Sequence, residues 1–92
     1  MLYFEWDEQK ASTNLTKHGV SFDTARRVFD DPFAVDIEDR SANYGEVRRR
    51  ILGLGNGLVL TVIYAERSET IRIISARKAT RAERKEYDDN GW

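Results

Sequence analysis

The chain has 92 residues, 40% of them hydrophobic, which suffices for one compact domain and is too little for two independent cores. It holds no cysteine and a single histidine, which removes disulfides, thiolate chemistry and thiolate metal sites and leaves no ligand spacing suited to a metal. The net charge of −1 hides an asymmetry: residues 1–46 carry five basic and ten acidic side chains, residues 47–92 ten basic and six acidic, so a nucleic-acid partner stays open if the basic half forms one face.

"YFEW" reads as a short aromatic strand, and Asp7 after it is placed to cap a helix through "EQKASTNLTKHG" that Gly19 ends. Ala11 and Leu15, four apart, are its expected apolar contacts. "SFDTARRVFDD" puts Phe22, Ala25, Val28 and Phe29 on one helical stripe, and Pro32 closes that helix. "FAVDIED" alternates as a half-buried strand, "RSANYG" forms a turn, and "EVRRRILGL" follows with period two, so that Val47, Arg49, Ile51 and Gly53 face one way and Glu46, Arg48, Arg50 and Leu52 the other. Asn56-Gly57 is a strong hairpin signal. "LVLTVIYA" is the most apolar segment and reads as a central strand, "ERSE" as the next connection, "TIRIISAR" as the last strand and "KATRAERKEYDDNGW" as the last helix.

The sum is β-α-α-β-β-β-β-α, a single α+β domain over residues 1–92 with a mainly antiparallel sheet and its helices gathered on one face. No run approaches the roughly 20 apolar residues that span a bilayer. "MLYFEWDEQK" lacks the basic-then-apolar order of an export signal, so a cytoplasmic location away from the membrane is expected.

Cations concentrate around the final strand-helix junction. Strict alternation would place Ile71, Ile73, Ser75 and Arg77 on one strand face and Arg72, Ile74, Ala76 and Lys78 on the other. Counted at about 100° per residue, Arg77, Arg81, Arg84 and Lys85 form a stripe on the following helix that could track a phosphate backbone; the same pattern also suits a solvated helix with four-apart ion pairs. Its thin apolar side of Ala79, Ala82 and Tyr87 leaves room for a partner protein to complete its burial. In the middle strand, Glu46 and Arg48 share a face about 7 Å apart, with Arg50 continuing the row. That row reads either as a proton acceptor beside an anion site or as a surface ion pair. Lys17 and His18 sit at a helix C-terminus, which favours a protonated imidazole; a capping or packing role is the alternative.

Taken together, "FEWDEQKASTNLTKHGVSFDTARRVFDDP", "YGEVRRRILG" and "IRIISARKATRAERKEY" resemble the BrnT family of toxins from bacterial type II toxin-antitoxin modules, with "KHGVSF" and "RIISARKA" the most specific segments. The resemblance implies a RelE-like fold and a ribonuclease that arrests translation without a metal or other cofactor. It also implies a BrnA-like antitoxin with a ribbon-helix-helix domain, through whose complex alone operator DNA is bound. The family's elements fall on Lys17, His18 and Gly19, on Tyr44, Gly45, Glu46 and Arg48, and on Arg77 and Lys78, with Arg67 matching a recurrent arginine.

Metal-free cleavage requires the 2′-hydroxyl to attack the adjacent phosphate, leaving a 2′,3′-cyclic phosphate and a 5′-hydroxyl. The protein must accept one proton, offset phosphoryl charge and donate another proton. The expected assignment gives Glu46 the base role, Arg48 and Arg77 the phosphate clamp and His18 or Lys17 the acid role, Glu46 and His18 being interchangeable. Arg67, Lys78, Arg81 and Arg84 would bind flanking RNA. A non-catalytic protein that docks a partner on its basic helix, or a DNA-binding regulator, are the alternatives; no two-helix turn presents a recognition helix for the latter.

Overall fold

The computed structural model describes residues 2–39 and 47–90. Its elements are β1 (Tyr3–Glu5), α1 (Glu8–His18), α2 (Phe22–Arg26) followed by a 3-10 turn (Arg27–Asp30), β2 (Val35–Asp39), β3 (Arg48–Gly55), β4 (Leu58–Arg67), β5 (Thr70–Lys78) and α3 (Arg81–Asn90). The α+β class and the element order agree with the sequence pattern, and the topology is consistent with a RelE-like fold. The "RSANYG" turn lies outside the described residues.

Local chemistry sets the helix ends. The Asp7 carboxylate accepts from the Lys10 N–H at 3.0 Å, and Gly19, at φ 71°, donates its N–H to the Leu15 carbonyl, a left-handed turn that glycine adopts without a Cβ penalty. Ser21 caps α2 through the Thr24 N–H. Asn56 and Gly57, at φ 57° and 82°, make the tight β3-β4 turn.

The strand order is β1-β5-β4-β3-β2, antiparallel except for the parallel β1-β5 pair. Three helical segments, α1, α2 and the 3-10 turn, gather over one face and bury Val20, Phe22, Ala25 and Val28 against Ile51, Leu60, Val62, Tyr64, Ile71, Ile73 and Ala76. Gly53 and Gly55 let the helical layer approach. A Cβ on Gly53 would stand 2.8 Å from Val28 Cγ1, and one on Gly55 would stand 2.6 Å from Leu60 Cδ1 and 3.0 Å from the Thr24 carbonyl.

The final helix rests on positions of the opposite parity. Thr61 alternates with Leu60 and Val62, and its hydroxyl donates to Glu83 of α3 at 2.9 Å; Leu52, which pairs with Thr61, is fully buried on this second side. Among the described residues, α3 covers the end of this side near Leu52 and Thr61, and the arginine positions of β3, β4 and β5 lie beside it.

Two expectations about burial change. Leu15 is 50% exposed, whereas Asn14 is buried: its amide donates to the Val20 and Ala76 carbonyls and its oxygen accepts from the Ala76 N–H. Asn14 thereby replaces a neighbouring strand along the part of β5 that β1, paired only through Arg72, does not reach. Tyr87, expected on a thin apolar side awaiting a partner, is already buried, and its hydroxyl donates to Asp31.

Candidate nucleic-acid interface

A β-bulge decides which cations meet. Ile63 pairs with Ser75 and Tyr64 with Ile73, so Ile74 is an extra residue in β5. Alternation restarts beyond it. Ile71, Ile73 and Ala76 face the helical layer, while Arg72, Ser75 and Arg77 face the other side. This corrects the strict alternation, which separated Arg77 from Arg72. It also corrects the helical stripe, because Arg77 belongs to β5 and α3 begins at Arg81.

On β3, Arg48 and Arg50 share the parity of Leu52, so they stand on the same side as Arg77. Arg48 and Arg72 both pair with Ala65 and flank it across two strand spacings, about 10 Å. Arg67, at the end of β4, joins Arg72, Ala65 and Val47 around a small pit of about 110 Å³ that also receives Glu5 and Glu66. The face thus aligns Arg48, Arg50, Arg67, Arg72 and Arg77 on neighbouring strands.

Glu83 organises one end of this row. Its Oε1 accepts from Arg77 Nη1 at 2.7 Å, from the Thr61 hydroxyl at 2.9 Å and from the Thr80 N–H at 2.8 Å. Its Oε2 accepts from Arg50 Nη1 at 2.8 Å and Arg77 Nη2 at 3.1 Å. The Thr80 hydroxyl in turn accepts from the Glu83 N–H, completing a capping box. Burial alone would raise the Glu83 pKa, but the bonds from Arg77, the Thr80 N–H, Thr61 and Arg50 outweigh it and hold the carboxyl well below the usual range. The sequence reading did not single out Glu83 as a site residue. The Thr-Arg-Ala-Glu spacing of a capping box was the available signal; its cationic partners, on two other strands, were not.

The remaining candidates distribute as follows. Lys17 is exposed and His18 half-buried at the end of α1, where both line a depression with Ile74 and Ser75 at the β5 edge, so they border the bulge. Lys78 pairs with Leu60 and is exposed with parity opposite to Arg77. Arg81 and Arg84 are exposed on α3. Tyr44, Gly45 and Glu46 lie outside the described residues. A broader depression of about 670 Å³, bounded by Phe4, Arg26, Arg27 and Phe29, contains none of the candidates. Among the described residues no group of three or more His, Asp and Glu side chains is placed to hold a metal ion.

Comparison with known proteins adds one match. The family model described as "Ribonuclease toxin, BrnT, of type II toxin-antitoxin system" matches residues 6–83, from Trp6 just after β1 to Glu83. No curated protein matches the chain. The matched stretch includes all of the sheet from β2 to β5 and every arginine on its open face, and the chain therefore belongs to the BrnT family of toxins from type II toxin-antitoxin systems.

Proposed function

We propose that this protein is the toxin of a type II toxin-antitoxin pair and acts as an endoribonuclease that cleaves RNA without a metal and so inhibits translation. The observation that carries the reading is the row of arginines on the open sheet face, which Arg77 joins because of the bulge at Ile74. Guanidinium forks match phosphate oxygens, and a row spaced by strand separations suits a polyanion crossing the strands.

Arg48 and Arg77 take the phosphoryl charge. His18 or Lys17, beside Ser75 at the β5 edge, delivers the proton to the departing 5′-oxygen, and Glu46 accepts the proton of the attacking 2′-hydroxyl. Arg67, Lys78, Arg81 and Arg84 bind flanking RNA. A BrnA-like ribbon-helix-helix antitoxin is the partner that neutralises the toxin, and operator DNA is bound through that complex. The cytoplasm, where RNA and antitoxin meet, is the site of action.

Incubating partner-free protein with RNA in excess EDTA tests the reading. Products with 2′,3′-cyclic phosphate and 5′-hydroxyl ends are expected, and a substrate with 2′-deoxyribose at the scissile position should stay whole. Cleavage of that deoxy substrate, or no cleavage of either, rejects the mechanism.

A further inference from the structure

Glu83 has no part in the proton transfers assigned above, although it is 7% exposed and its carboxylate bonds groups from β3, β4, β5 and the start of α3. With both oxygens occupied by donors and its acidity increased by them, it is a poor proton acceptor. Its contribution is geometric. Arg77 meets it with two parallel N–H bonds, which fix the plane of that guanidinium, and Arg50 shares Oε2 with Arg77. The side chains of Arg50 and Arg77 are 29% and 36% exposed, so each is anchored on its inner side while remaining in reach of solvent.

We propose that Glu83 is a positioning residue that holds Arg50 and Arg77 as a paired, preorganised clamp for one phosphate group of an RNA strand lying across the open sheet face. The inference rests on the RNA reading above and adds Arg50 to the residues that touch the substrate. It separates from two simpler roles by the sign of its effect. A negative charge beside a polyanion repels it, so if Glu83 only capped α3 or only set local charge, neutralising it would tighten RNA binding.

The experiment uses the whole chain without a partner and an oligoribonucleotide whose 2′-hydroxyls are methylated, so that binding is read apart from cleavage; the unmodified oligonucleotide gives kcat and KM. Glu83→Gln is expected to weaken binding of the methylated strand about tenfold despite the added positive charge, and to lower kcat about 100-fold through misplacement of the clamp. Tyr87→Phe, which removes a different α3 anchor, should keep wild-type affinity. Tighter or unchanged binding by Glu83→Gln overturns the proposal. If that variant does not fold, Arg50→Lys retains the charge and loses the fork: a tenfold loss of affinity supports the clamp and wild-type affinity overturns it. A wild-type protein whose RNA binding depends on Glu83 and Arg50 but which cuts no RNA would sink the cleavage reading and leave the clamp standing. No RNA binding by the wild type overturns both.

Discussion

Asn14 and Leu15, neighbours on α1, have opposite fates. Asn14 satisfies both backbone groups of Ala76 and the Val20 carbonyl from a buried position, so Asn14→Ala leaves those groups without partners. The loss should be at least about 2 kcal/mol of stability, since each buried unsatisfied group costs about 1–3 kcal/mol. Leu15→Ala, at a half-exposed position, should stay within about 0.5 kcal/mol. Urea denaturation of the two variants measures the contrast. Apolar periodicity favoured Leu15 because it counts hydrophobic side chains, whereas the requirement at this helix is for an amide that copies a peptide group. A strand edge elsewhere in the chain creates that requirement.

Among elements, the legible features were those whose causes are local. Asp7, Gly19 and Asn56-Gly57 mark their boundaries through bonds or dihedral angles within a few residues, and each does so in the structure. The bulge at Ile74 is different. Nothing in "TIRIISAR" announces it, because it exists only against the register of β4, and the facing of Arg77 follows from it. The close approach of the helical layer to β3 also depends on distant residues. Gly55→Ala would push a methyl group against Leu60 and the Thr24 backbone, and overpacking of this kind costs about 1–3 kcal/mol. A lower melting temperature with cleavage retained well below it is the expected outcome, since the change lies on the face turned away from the arginines. Loss of cleavage at low temperature would show that α2 and the open face are coupled.

For the whole molecule, ionisation links the last helix to the rest of the fold. Glu83 ties α3 to β3, β4 and β5. Asp31 ties it to the end of the 3-10 turn and to β3 by accepting from Tyr87, the Leu54 N–H and the Phe33 N–H. Both carboxyls sit below their ordinary values; burial works against this, and the hydrogen bonds to each prevail. The folded protein thus binds these protons more weakly than the unfolded chain does. Their stabilisation is complete above the ordinary values of 4.5 and 3.8 and declines as pH falls below them. Tyr87 behaves in the opposite direction. Burial first, then the Asp31 bond and the charges of Asp31 and Asp88, push its pKa up to about 12 from 10.0, so its stabilisation is complete below pH 10.0 and is lost as pH rises toward 12. The difference in ultraviolet phenolate titration between wild type and Tyr87→Phe should show Tyr87 ionising late, and the variant should lose part of the alkaline fall in stability, the rest belonging to Tyr64, whose pKa burial and the Asp36 bond also raise. An unchanged alkaline limb in that variant would contradict the link through Asp31.

Asn14 has one more consequence, for behaviour at high concentration. A β-strand with a bare side is a template on which another chain can stack, and stacking of this kind starts fibrils. The amide of Asn14 occupies that template on β5 where β1 stops, so the rims left along the described strands are β1 and β2, strands of three and five residues, and edges this short recruit a further strand poorly. Asn14→Ala should therefore cloud the tube on warming sooner than the wild type does, which light scattering would read.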